Sequence, residues 1–140
     1  GLEEEGEDTT VSSKPNALVL FNPVFDNGPE GYGYSRVKER FREISPMHNI
    51  SKKTPPTIAF LGTKDKLIPV TTAKKYKDLM EKAGGRCELH LYEGQPHGFF
   101  NGPSRGGSFN TYYLKTVTEM DRFLASLGYI KGEPTIRRPG

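Results

Sequence analysis

Two strand-like runs near the middle of the chain most constrain what it can fold into. Residues 57–61 form a short apolar run, preceded by two prolines and followed by Gly62, which is typical of a strand buried on both faces. Residues 86–92 alternate polar and apolar side chains, the period-2 pattern of a second strand. The long stretch between them leaves room for a crossover rather than a hairpin.

The connecting segment has the pattern of one amphipathic helix. Thr71 or Thr72 offers a side-chain cap at its start, and Gly84-Gly85 ends it. A strand, helix, strand unit of this kind is almost always right-handed with parallel strands. The carboxyl ends of both strands are therefore expected at one edge of the sheet. The apolar positions of the helix recur at helical spacing: Ala73, Tyr76, Leu79, Met80 and Ala83.

A titratable residue follows each of these strands in a glycine-containing loop. Asp65 comes after the first strand, in Gly-Thr-Lys-Asp, and His97 comes after the second, in Gly-Gln-Pro-His-Gly. Neighbouring strands lie about 4.8 Å apart, so the two side chains are predicted to approach within roughly 2.6 to 3.2 Å. Open α/β sheets bind their ligands at this edge. An acid followed by a histidine matches the last two members of a Ser, Asp, His triad.

The remaining elements complete an α/β architecture. Residues 16–21 predict a third buried strand, stopped by Asn22-Pro23. Asn110 is predicted to cap a final helix that Gly128 ends and that covers one face of the sheet. The apolar stripe of that helix is predicted to consist of Tyr113, Val117, Met120, Leu124 and Leu127.

Residues 22–54 are predicted to leave the sheet as an excursion rich in glycine, proline and aromatic residues. A short charged helix is expected at residues 35–41, and His48 is expected in a turn. Because the excursion starts at the carboxyl edge, Tyr32 and Tyr34 are candidates for lining a pocket there. The alternative is that both tyrosines pack against the turns of the excursion itself.

The order of these motifs resembles the carboxy-terminal half of α/β-hydrolase fold esterases. The matching features are Asn22-Pro23, the segment Ile-Ser-Pro-Met-His-Asn-Ile, the paired prolines, GTKDKLIP and GQPHGFF, over about residues 16–127. Within that superfamily the chain looks most similar to the acetyl-esterase, lipase-like and feruloyl-esterase-like branch near the prolyl oligopeptidases. The resemblance implies a partial α/β-hydrolase fold, with three mainly parallel strands and flanking helices.

The same resemblance implies a function. Asp65 matches the triad acid and His97 the triad base of a serine hydrolase that needs no cofactor. The implied substrates are short acyl esters, with acetylated carbohydrate as one candidate class. A non-catalytic fragment that binds a partner chain through an exposed sheet edge is the alternative.

The nucleophile is not found in this sequence. In the family, the nucleophile elbow and the oxyanion-hole loop precede the strand that corresponds to residues 16–21, and residues 1–15 contain no such motif. Ser104 lies in the letter pattern G-x-S-x-G, but it follows the histidine loop and has Pro103 before it, where an elbow needs a strand before it and a helix after it. A glycine-rich connection is the favoured interpretation, and the chain alone is expected to be inactive.

Composition favours one domain with an incomplete sheet. Only 34% of the 140 residues are hydrophobic and the mean hydropathy is −0.64, which is low for covering both faces of a parallel sheet. Residues 16–128 are expected to form part of a hydrolase domain, between an acidic flexible lead-in (1–15) and a basic flexible tail (129–140). An uncovered strand edge predicts self-association.

Several other function classes find no support in the sequence. The net charge of +3 is modest, so a solvated lysine face is favoured over nucleic-acid binding. The histidines, His48, His90 and His97, show no metal-ligand spacing, and no metal is expected. The single cysteine, Cys87, is predicted to be a buried, unreactive thiol. No signal peptide or membrane-length apolar run is found, and the localisation is left open.

Overall fold

Three parallel strands form the centre of the fold. The computed structural model describes residues 6, 8, 10–102 and 110–136. The sheet order is β1 (Leu18–Phe21), β2 (Thr57–Gly62), β3 (Cys87–Tyr92), with Leu18 opposite Thr57 and Thr57 opposite Cys87. All six residues of β2 are buried, as its continuous apolar run predicts, whereas β1 is half-buried throughout. The α/β prediction with three parallel strands is confirmed.

The crossover helix α3 (Val70–Lys82) begins without a side-chain cap. Pro69 occupies the cap position: its ring fixes φ at −63°, and its ψ of 138° is extended, so the helix begins only at the next residue. The prediction that Thr71 or Thr72 caps this helix is therefore wrong, because both lie inside its first turn. At the other end Gly84 has φ 79°, and Gly85 donates its N–H to the carbonyl of Met80 at 2.9 Å, which stops the helix as predicted.

Alternate residues of β2 pack into two separate cores. Ala59 and Leu61 face α3, where Phe25 of the excursion stacks on Tyr76 with ring centroids 4.3 Å apart. Ile58 and Phe60 face the other core, which is covered by α4 (Thr111–Ser126). This alternation is what a strand with a period of two produces when both faces are covered.

The final helix is capped as predicted, but the face that it buries differs from the predicted apolar stripe. The side chain of Asn110 accepts a hydrogen bond from the N–H of Tyr112 at 2.9 Å. Tyr113 and Val117 are only half-buried and are not among the residues that pack against the core, so their prediction is wrong. Thr116 is fully buried in their place, because its hydroxyl donates to the carbonyls of Tyr112 and Tyr113. The helical residues in the second core are Tyr112, Met120, Phe123 and Leu124.

The excursion contains short helical pieces instead of the single helix predicted at residues 35–41. These are α1 (Tyr34–Val37), a 3-10 helix (Lys38–Arg40), α2 (Phe41–Ile44) and a second 3-10 helix (Pro46–Asn49) that includes His48. Lys38 has φ 46°, outside the helical region, and breaks the predicted helix.

None of the helices among the described residues has both the length and the hydropathy that a membrane-spanning segment needs.

Candidate active site

The carboxylate of Asp65 is fixed and fully enclosed at the carboxyl end of β2. Its Oδ1 accepts hydrogen bonds from the N–H groups of Leu67 at 2.8 Å and Ile68 at 3.0 Å. The side chain is 0% exposed. An ionised carboxylate can be buried only where hydrogen bonds replace its water, and the turn after β2 supplies them. The second oxygen, Oδ2, remains for another donor.

That donor is His97, in the loop after β3. Its Nδ1 lies 2.8 Å from Oδ2 of Asp65, within the range predicted from the sequence. Because an ionised carboxylate only accepts, the proton of a neutral imidazole lies on Nδ1 and the lone pair on Nε2. The imidazole side chain is 45% exposed. A buried acid that orients a solvent-accessible base is the arrangement that activates a hydroxyl nucleophile.

The two loops are also held together by other contacts near the pair. The N–H of Thr63 donates to the carbonyl of Tyr92 at 3.0 Å, and the N–H of Lys64 donates to the carbonyl of Gln95 at 2.9 Å. A Cβ on Gly62 would overlap the carbonyl oxygen of Gln95, so this close approach requires glycine. Sequence reasoning missed these contacts, although the glycine directly after the β2 run is the signal for them.

The histidine loop is anchored from its other side by the start of α4. Phe99 is buried in the second core, and Gly98 has φ 77°, which lets the chain turn between His97 and this anchor. The side-chain amide of Asn110 donates to the carbonyl oxygens of Phe99 and Asn101, at 2.6 and 2.8 Å. One asparagine therefore both caps α4 and holds the loop that carries His97.

A second serine, histidine and aspartate group lies in the excursion but has a different geometry. Ser45 Oγ lies 2.9 Å from Nδ1 of His48, and Asp26 Oδ1 lies 3.8 Å from that same nitrogen. A triad needs the acid and the hydroxyl on opposite ring nitrogens. Ser45 is also 0% exposed, and its Oγ accepts the N–H of Asn27. This group holds the excursion together.

The sequence contains two residues that could in principle act as nucleophiles, Ser104 and Cys87, and the sequence analysis favoured neither. Ser104 lies outside the described residues. Cys87 lies at the opposite, amino end of β3, where it is buried as predicted, and this burial raises the pKa of its thiol to about 11. No group of three His, Cys, Asp or Glu side chains that could hold a metal occurs among the described residues.

A small cavity of about 180 Å³ lies between the excursion and the turn that follows Asp65. Tyr32 lines it, so the prediction of a pocket role for this residue stays open to test. The hydroxyl of Tyr34 instead donates to Glu39 Oε1 at 3.0 Å, within the excursion. The other lining side chains include Phe25, Asp26, Leu67 and Ile68.

Asn22, at the carboxyl end of β1, is the one conspicuously unsatisfied side chain that the described residues show. It is 6% exposed, its φ is 44°, and neither amide atom has a hydrogen-bond partner within the described structure. Its backbone N–H donates to the carbonyl of Phe60. A buried amide without partners costs stability. Sequence analysis identified Asn22 only as the stop of the strand.

Solved structures of esterase 2 from Thermogutta terrifontis share this fold. The form phosphoramylated by tabun is 41% identical, with a TM-score of 0.83, over 95% of this chain and 49% of that chain. The propionate-bound form is 39% identical, with a TM-score of 0.79, over 95% of this chain and 50% of that chain. This chain thus spans about half the length of these esterases.

The sequence relatives include methylesterases. An isoprenylcysteine alpha-carbonyl methylesterase of Arabidopsis thaliana is 40% identical over an aligned length of 98 residues, and the match covers 63% of this chain and 22% of that protein. A probable methylesterase of the same kind and organism is 32% identical over 98 residues, covering 19% of its length. The resemblance to α/β-hydrolase esterases is confirmed. The model of the prolyl oligopeptidase family matches residues 18–125, and the chain therefore belongs to the prolyl oligopeptidase family.

Proposed function

We propose that this chain contributes the acid and the base of a serine hydrolase that cleaves short-acyl carboxylic esters. The observation that carries the proposal is the 2.8 Å contact between a fully buried Asp65 and a half-exposed His97. Both residues follow neighbouring parallel strands at the edge where open α/β sheets bind ligands. Esterase relatives on the same fold support the reaction class.

In the proposed mechanism Nε2 of His97 takes the proton of a serine hydroxyl as the serine oxygen bonds to the ester carbonyl carbon. Asp65 keeps Nδ1 protonated and stabilises the imidazolium that forms. The imidazolium then protonates the departing alkoxide, so the alcohol leaves and an acyl-enzyme remains. Water then reacts in the same way: it gives a proton to His97, its oxygen bonds to the acyl carbon, and the carboxylic acid product leaves the serine oxygen. The serine oxygen recovers the proton.

In this proposal the serine and the oxyanion-hole donors belong to polypeptide outside these 140 residues. The solved esterases that match 95% of this chain are about twice as long, which supports a contribution of comparable size. We propose that this polypeptide joins the sheet at the outer edge of β1, and the burial of the strands supports that position. The four residues of β1 are half-buried, whereas β2, with a strand on each side, is fully buried.

For the substrate we propose acetyl, propionyl and butyryl esters. The proposed alcohol part is a carbohydrate, so that acetylated carbohydrate is the candidate substrate class. Esterase 2 has been solved with propionate and with butyrate bound, which supports a small acyl group. The alcohol rests on the resemblance to acetyl and feruloyl esterases alone. Turnover of acetylated sugars, aryl acetates and isoprenylcysteine methyl ester would show which alcohol part is preferred. Preference for the methyl ester would contradict the carbohydrate proposal.

A chimera tests the function directly. The part of esterase 2 that this chain does not match is joined to this chain, and the product is assayed with aryl acetate, propionate and butyrate. We expect turnover and phosphylation of a serine by an organophosphate, with turnover lost in His97→Ala. His90→Ala, at a strand histidine away from the pair, is the matched control and should keep full turnover. A cooperatively folded chimera with neither turnover nor labelling contradicts the proposal.

A second candidate function is a non-catalytic fragment that binds another chain through the outer edge of β1. The half-buried residues of β1 favour it, since an open strand edge recruits strands. The chimera separates the two, because a binding fragment restores neither turnover nor serine labelling.

A further inference from the structure

Thr63 makes a side-chain hydrogen bond between the loop of the acid and the loop of the base. Its Oγ1 accepts the N–H of Gly94 at 2.8 Å. Thr63 lies two residues before Asp65, and Gly94 lies three residues before His97. Gly94 has φ 72° in the turn closed by the bond from Gln95 N–H to the carbonyl of Tyr92 at 3.2 Å. The bond therefore reaches the turn from which the histidine loop departs.

We infer that Thr63 is a positioning residue that sets the distance between Asp65 and His97, an inference that rests on the proposed function. Because the side chain of His97 is 45% exposed, packing around the ring alone does not fix its position, and the loop that carries it must do so. The neighbouring interloop bonds, from the N–H groups of Thr63 and Lys64, use backbone atoms only. Of these hydrogen bonds between the two loops, the bond to the Thr63 hydroxyl is therefore the one that a side-chain substitution can remove.

The expected effect follows from how strongly acid–base catalysis depends on geometry. A misplacement of about 1 Å can lower a rate by about 10²-fold. Thr63→Val keeps the shape of the side chain but removes the acceptor, and it leaves the N–H of Gly94 without its partner. Thr63→Ser keeps the oxygen. Loss of function in the first variant and its rescue in the second would therefore identify the hydroxyl rather than the volume.

The first measurement needs neither substrate nor nucleophile. In the folded chimera, nuclear magnetic resonance follows solvent exchange of the Nδ1 proton of His97. We expect exchange at least about tenfold faster in Thr63→Val and unchanged in Thr63→Ser. Thr116→Val, which removes the hydroxyl of a fully buried residue in α4, is the control for general destabilisation. Unchanged exchange in Thr63→Val, or equal acceleration in Thr116→Val, overturns the inference.

The second measurement uses the active chimera. Thr63→Val should lower kcat about tenfold with KM unchanged, while Thr63→Ser stays near the unsubstituted rate. An unchanged kcat in Thr63→Val, or a change confined to KM, overturns the positioning role. If the unsubstituted chimera is folded but inactive, the proposed function fails, whereas the proton-exchange measurement still decides whether Thr63 sets the contact.

Discussion

The ring of Phe100 packs against the ring of Phe21 with their centroids 4.8 Å apart. Phe21 ends β1, whereas Phe100 follows the loop after β3, so the histidine loop crosses the whole carboxyl edge of the sheet. His97 is thereby held between an anchor at β3 and an anchor at β1. The contact couples the position of His97, which follows β3, to β1, the strand at the opposite side of the sheet.

Phe100→Ala should destabilise the chain by about 2 kcal/mol, less than a fully buried phenylalanine because Phe100 is half-buried. Chemical denaturation measures the change. Phe100→Leu is the control, and it should cost less than about 1.5 kcal/mol because it retains most of the apolar contact. Equal effects of the two substitutions would show that the contact with Phe21 does not stabilise the loop.

Gly62→Ala should be more destabilising than Gly84→Ala. The added Cβ at Gly62 would overlap the carbonyl oxygen of Gln95 and lie 2.8 Å from that of Pro96, which costs about 1–3 kcal/mol or more. Gly84 has open space around it, but its φ of 79° makes alanine cost about 1 kcal/mol. Thermal melts of both variants check the order. A Gly62→Ala chain as stable as the parent would contradict the close approach of the loops.

Asp65→Asn should lower kcat of the active chimera by about 10⁴-fold, the size known for this change in serine proteases. The amide can donate to Nδ1 and so favours the tautomer with the proton on Nε2. Asp26→Asn, which changes the carboxylate near His48, is the matched control and should leave kcat within a few-fold. A similar loss in both variants would mean that folding, not the tautomer, is affected.

Cys87 should be unreactive in the folded chain and should lower its stability at high pH. Burial raises the pKa of the thiol from 9.0 to about 11, so alkylation at pH 8 should be about 100-fold slower than in urea. Its contribution to stability is complete below pH 9 and is lost as the pH rises through 11. The loss is at most about 2.7 kcal/mol.

Cys87→Ala provides the reference for that titration, since the pKa of Tyr92, raised by burial to about 12, affects both proteins alike. We expect the parent to lose more stability than the variant between pH 9 and 11, as measured by urea denaturation. Parallel curves for the two proteins would mean that the thiol titrates normally.

The 140-residue chain should self-associate or be only marginally stable. Within the described sheet the outer edge of β1 carries no strand, and an open ladder of backbone groups beside Leu18, Leu20 and Phe21 favours pairing between chains. Light scattering across a concentration series measures this. A monodisperse monomer at high concentration with a cooperative, high-temperature melt would contradict the expectation of an incomplete sheet.

Much of this fold could be predicted because its signals are local. The apolar run of β2 and the alternation of β3 gave both strands within one residue of their observed ends, and parallel topology brought Asp65 to His97. The side of α4 that is buried could not be predicted, since a threonine in the core becomes acceptable only when its hydroxyl bonds to the helix backbone. Contacts between loops, such as Thr63 with Gly94, depend on how two turns meet and leave no periodic pattern.

The lengths of the elements between Asp65 and His97 limit where residues can be inserted or deleted. At about 1.5 Å per residue, the 13 residues of α3 span about 20 Å, which equals the length of a six-residue strand at about 3.3 Å per residue. The helix therefore returns the chain to the start of β3 with little slack. One residue inserted in α3 would turn everything beyond it by about 100°. Insertions and deletions should consequently be tolerated in the excursion far better than between Asp65 and His97.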